Sequence, residues 1–104
     1  MKRETKFRQE LVDELEYLFP GSLILKPDPQ DIQGIPDLLI LFRNKWAALE
    51  CKRSLRSPFR PNQEYYLEIM DDMSFASMIC PENREAVLYE LQQAFSSRGT
   101  ARIS

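Results

Sequence analysis

Asp37, Glu50 and Lys52 stand out because the residues around them, in GIPDLLILFRNKWAALECKRS (Gly34–Ser54), read as two apolar strands and a turn. An unpaired charge in a core is strongly unfavourable, so these three need partners. Depending on which residues form the turn, Asp37 faces Glu50, Cys51 or Lys52. A two-residue turn at Arg43-Asn44 sets Asp37 opposite Glu50, with β-carbons about 5 Å apart. Glu50 and Lys52 are two apart in sequence and share a strand face. Lysine can neutralise one carboxylate but not both. A divalent cation would neutralise the remainder, and Mg²⁺ takes one or two carboxylates together with waters and phosphate oxygens. The plainer alternative is a set of structural ion pairs, to Lys52 and to Arg43 or Arg53.

The composition narrows the chemistry further. The chain of 104 residues has no histidine and two cysteines. Ser-His-Asp and Cys-His catalysis are excluded, a zinc site is implausible, and hydrolysis must run on carboxylates, lysine and a hard cation. The charged N-terminus, MKRETKFRQEL, lacks the apolar core of a secretion signal, and no apolar run is long enough to span a membrane. A cytoplasmic, non-secreted protein with Cys51 and Cys80 as free thiols is expected.

These residues must be positioned by a small α/β domain. Phe7, Leu11, Leu15 and Leu18 mark the buried stripe of a helix over about Arg3–Phe19, ended by Pro20-Gly21. Ser22–Lys26 reads as a strand, and Pro27–Pro36 as a loop rich in breakers. Asp37–Phe42 and Trp46–Lys52 read as strands around Arg43-Asn44-Lys45. The first is apolar on both faces and so belongs in a sheet covered on both sides. After the loop Ser54–Asn62, a helix is expected over about Asn62–Asp72, with Tyr66, Leu67 and Met70 inward. Ser74–Cys80 reads as a strand. Pro81-Glu82 opens a last helix whose stripe is Val87, Leu88, Leu91 and Phe95. The order αβββαβα predicts one domain over 1–104, a mixed sheet flanked by helices on both faces, with a loose tail from about 97 to 104.

The net charge of −2 argues against general attraction to nucleic acid. Locally the balance differs. Lys52, Arg53, Arg56 and Arg60 fall in a segment without acids, whereas seven acids lie between Glu64 and Glu90. Such a basic patch on an acidic protein can contact phosphates.

Pro36-Asp37 and Glu50-Cys51-Lys52, thirteen residues apart and each on a strand, resemble the signature of the PD-(D/E)XK nucleases. GIPDLLIL, ALECKRS, a Ser-Pro segment leading to Gln63, and SFASMICPE resemble the VRR-NUC branch over nearly the whole chain. The resemblance implies a restriction-endonuclease-like fold and Mg²⁺- or Mn²⁺-dependent hydrolysis of DNA. Asp37, Glu50 and the Cys51 carbonyl would hold the metal. Lys52 would orient or deprotonate the attacking water, and Gln63 would join the site.

The family also uses an acid in its first helix. Glu4 falls about 20° from Leu11 on the buried stripe, Glu14 about 60° and Glu10 about 100°, which favours Glu4 with the others as alternatives. The family's following glutamine has its counterpart in Gln9, five residues after Glu4 rather than four. Arg53, Arg56 and Arg60 would grip the backbone beside the cut. Stand-alone bacterial and viral members of about this size imply a homodimer acting on branched DNA such as four-way junctions, without an organic cofactor. The first helix is the expected interface, because Tyr17 and Phe19 flank its stripe. The competing class is a nuclease-like module that has lost activity and binds only DNA or a partner protein.

Overall fold

The structure, a computed structural model, describes residues 2–96, with side chains from residue 5 onward. Its elements are α1 (Lys2–Leu18), β1 (Leu23–Leu25), β2 (Leu38–Phe42), β3 (Lys45–Cys51), α2 (Gln63–Met73), β4 (Phe75–Ile79) and α3 (Arg84–Ser96). The expected order αβββαβα is observed, and the proposed tail over 97–104 lies outside the described residues. The four strands form one mixed sheet in the order β1-β2-β3-β4, antiparallel as far as β3 and parallel between β3 and β4. A parallel neighbour requires a crossover, and α2 supplies it. No described helix is long and apolar enough to cross a membrane.

Strand alternation divides the residues of the sheet between two faces. Leu38, Ile40, Ala47, Leu49, Cys51 and Ile79 point to one face, where they meet Phe7, Leu11 and Leu15 of α1 and Val87, Leu88 and Leu91 of α3. Phe19, Phe42 and Phe95 close one end of this core, with ring centroids 4.9–5.7 Å apart. Such aromatic contacts add about 0.5–1.5 kcal/mol each beyond area burial. Phe19 is therefore core, which removes it from the expected interface, whereas Tyr17 is 82% exposed.

The other face carries α2, which packs on β3 and β4. No α2 residue is fully buried, and Tyr66, Leu67 and Met70 are half-covered. This helix does not extend over β1 and β2, so Leu39 and Leu41 are only half-buried beside the exposed Leu23 and Leu25. Coverage of β2 on both sides is thus partial.

The hairpin turn is shorter than the three-residue reading. Lys45 pairs with Phe42, which leaves Arg43 and Asn44 as the loop. Arg43 has φ +58°, a conformation that the primed two-residue turns impose, and its guanidinium rests over the Phe42 ring at 4.8 Å. The last helix begins at Arg84, after the predicted Pro81-Glu82. Asn83 turns its side chain back, accepting the Cys80 N–H and donating to the Met78 carbonyl. Burial pushes the Cys80 thiol above its ordinary value. Cys51 and Cys80 are both free thiols.

Candidate functional site

The hairpin register assembles the site. Leu38 faces Leu49, so the next pair outward is Asp37 and Glu50. Lys52 lies one residue beyond β3, where its backbone N–H continues the parallel ladder to the Ile79 carbonyl at 2.9 Å. Glu50 and Lys52 face away from the core cluster, on the side where α2 starts. They are the buried charged residues of the described chain, 3% and 7% exposed. A buried acid and a buried lysine so close to each other require a dense set of partners.

Gln63, the first residue of α2, supplies most of them. Its Oε1 accepts from Lys52 Nζ and from the Arg60 N–H, both at 2.7 Å, and its Nε2 donates to Glu50 Oε2 at 3.0 Å. The reverse amide orientation would lose all three bonds, so the network itself assigns the flip. Lys52 also donates to the Pro58 carbonyl at 3.1 Å, lies 3.7 Å from Glu50 Oε2 and sits over the Phe59 ring at 5.3 Å. The loop before α2 is thereby fastened to the sheet by the lysine.

A close backbone approach makes this possible. Gly34 has φ +94°, and a β-carbon there would lie 2.6 Å from Asn62 Cβ and 2.9 Å from the Pro61 carbonyl oxygen. Only glycine fits, so the loops preceding Asp37 and Gln63 can touch. Asn62, at φ +71°, makes the turn into α2 and reaches back to the Gln33 carbonyl at 3.4 Å.

Asp37 has different company. Its Oδ2 accepts the Cys51 N–H at 2.9 Å, and its Oδ1 lies 3.8 Å from Arg8 Nη1 on α1. The expected ion-pair partners, Arg43 and Arg53, are thus replaced at Asp37 by Arg8, while the pairing of Glu50 with Lys52 is as expected.

A cleft of about 700 Å³ opens here, lined by Arg8, Asp37, Glu50, Lys52, Arg53 and Gln63 with Thr5, Ser57, Pro58 and Arg60. Arg53 and Arg60 reach it; Arg56 sits exposed on the same loop, outside the lining. The Cys51 side chain is buried in the core on the opposite face. The side chain of Glu4 lies outside the described residues; its position in α1 is one turn before Arg8. Glu14, the alternative acid, is paired with Arg84 away from the cleft.

Sequence reading missed Arg8. The same helical arithmetic that favours Glu4 carries over to a residue four further on, which would have revealed it.

The donor chemistry suits a hard cation. Asp37 and Glu50 offer two carboxylates on neighbouring strands, the number Mg²⁺ takes when waters and phosphate oxygens complete its shell. Among the described residues, no group of three or more histidines, cysteines, aspartates or glutamates gathers to form a fuller cage. Comparison with family models, with curated proteins and with solved structures yields no match.

Proposed function

We propose that the chain is a divalent-metal-dependent endonuclease that hydrolyses phosphodiester bonds in DNA. One observation carries the reading: Glu50 and Lys52, the buried charges of the described chain, stand with Asp37 in a polar cleft bordered by Arg8, Arg53 and Arg60. A core salt bridge made for stability alone does not need an opening of this size or a rim of cations around it.

Asp37 and Glu50 would hold Mg²⁺ or Mn²⁺, aided by the Cys51 carbonyl and, on α1, Glu4. A cation held there would supply Lewis-acid activation of the scissile phosphate and of water. Lys52, held by Gln63 and the Pro58 carbonyl, presents its ammonium to the attacking water and to charge growing on the phosphoryl oxygens. Gln63 keeps Glu50 and Lys52 in fixed relation through one amide. Arg53 and Arg60 contact phosphates beside the cut, with Arg56 further along the strand.

The restriction-endonuclease-like assignment of the fold belongs to the same proposal, as do a cytoplasmic location and a homodimer that cuts branched DNA. The modest net charge supports dependence on DNA shape, and Tyr17 leaves an exposed aromatic on α1 for a dimer contact. Cleavage of duplex, flap, single-stranded and four-way-junction DNA with Mg²⁺ or Mn²⁺, beside Asp37→Asn and with light scattering of the free protein, tests the set. Wild-type cleavage that disappears in Asp37→Asn is expected. Equal cleavage by both proteins refutes a metal site at Asp37.

One observation favours a second reading, a module without activity. Asp37 Oδ2 accepts the Cys51 N–H and Oδ1 faces Arg8, and Glu50 Oε2 accepts from Gln63 and faces Lys52, so these three oxygens are engaged by groups of the protein itself. Calorimetric titration with Mg²⁺ separates the two, since a decayed site gives no Asp37-dependent heat.

A further inference from the structure

Arg8 stands beside Asp37, on the oxygen that the backbone leaves open. Of the two oxygens of Asp37, Oδ2 is committed to the Cys51 backbone at 2.9 Å, and Oδ1 faces the guanidinium of Arg8 at 3.8 Å. That separation exceeds the 2.7–2.9 Å of a charge-assisted hydrogen bond. The side chains are 34% and 26% exposed, so the pair is loose and solvent-screened. Lys52 is fastened by two bonds and buried, whereas among the described residues Arg8 has only this ion pair to leave.

Resting on the reading of the cleft as a metal site, we propose that Arg8 is an exchangeable counter-charge. It neutralises Asp37 in the free protein, and would leave Asp37 for a DNA phosphate when Asp37 helps to hold a divalent cation. Charge in the cleft drives the exchange. Among the described lining residues, Arg8, Lys52, Arg53 and Arg60 already exceed Asp37 and Glu50 by two positive charges, and a divalent cation would raise that excess to four. The planar fork of arginine matches two phosphate oxygens, and α1 holds it at the rim of the same cleft that Arg53 and Arg60 border. Metal and DNA would then strengthen each other's binding through one side chain, with equal effect in both directions.

Two measurements test this without relying on turnover. In calorimetry with Mg²⁺ alone, Arg8→Gln should bind the ion about fivefold more tightly than wild type, the scale of removing one screened charge at this distance. In chelator, with a short labelled duplex, Asp37→Asn should tighten DNA binding when Arg8 is present. The gain should shrink at least threefold in the Arg8→Gln background, a double-mutant cycle that isolates the pair. Unchanged or weaker Mg²⁺ binding by Arg8→Gln overturns the exchange while leaving the metal site standing. Equal gains in both backgrounds overturn the phosphate contact. Failure of both wild type and Arg8→Gln to bind Mg²⁺ overturns the metal reading and this inference together.

Discussion

Replacing Asp37 separates its structural role from its chemical one. Asparagine keeps an oxygen that can accept the part-buried Cys51 N–H, now met by Asp37 Oδ2 at 2.9 Å, whereas alanine leaves that donor unmet. An unsatisfied buried donor costs about 1–3 kcal/mol. For a domain of this size each kcal/mol moves the melting temperature by about 4–8 °C. The ion pair to Arg8 adds little, because at 3.8 Å it is too long for a hydrogen bond and both partners are partly exposed. Asp37→Ala should therefore melt at least about 4 °C below Asp37→Asn in chelator, with Asp37→Asn near wild type. Nuclease activity should not follow that order. Both variants lack the carboxylate that, under the proposed function, would hold the cation, so cleavage should fall by at least about 10³-fold in each. Thermal melts by circular dichroism and single-turnover cleavage of a labelled junction supply the two readouts. Equal melting of the two variants would refute the hydrogen-bond role, and full activity in Asp37→Asn would refute the chemistry.

Gly34→Ala should lose about 2–4 kcal/mol, since its β-carbon would meet Asn62 and Pro61 backbone atoms at φ +94°. Adding Asn62→Gly should restore part of the loss by removing the 2.6 Å contact, and additive melts would show that the clash is not the cause. Lys52→Ala should lower the cleavage rate by about 10²–10⁴-fold while leaving Mg²⁺ affinity equal or higher, because an ammonium 3.7 Å from Glu50 Oε2 opposes the cation. A collapse of metal affinity in calorimetry would contradict that role. Stability should also fall in alkali. Burial raises the folded Cys80 pKa above its ordinary value of 9.0, so the contribution is complete below the unfolded value and lost as pH rises through the folded one. Denaturant melts between about pH 8 and 10.5 should show a flatter decline for Cys80→Ala, by up to about 1.4 kcal/mol per pH unit. Parallel slopes would contradict it.

Elements with a strong apolar period were readable in advance. The stripes of α1 and α3 are buried nearly as their spacing dictates, because a residue every third or fourth position has only one way to leave water. Asp37 and Glu50 were legible as a facing pair once the turn was taken as two residues; Arg43 hid that turn, since glycine or asparagine is the usual occupant at positive φ. The hydrogen bonds of Gln63 are tertiary, joining residues eleven and thirteen positions away across a loop without periodicity. Helical spacing places Arg8 on the side of Glu4, but the contact with Asp37 is tertiary and joins residues 29 positions apart. Phe19 looked like an exposed flank because its partners Phe42 and Phe95 are far away in sequence.

Asp37, Glu50, Lys52, Arg53, Arg60 and Gln63 all come from one uninterrupted piece of chain, while Arg8 arrives on a helix anchored elsewhere by Leu11 and Leu15. The phase of that helix thus acts as an independent dial on the cleft. Inserting one alanine between Arg8 and Leu11 would turn the guanidinium by about 100° relative to its anchors, with every acid and the lysine left in its own sequence setting. Two homologous proteins with identical 34–63 segments would then differ in the charge that faces Asp37 through helix register alone.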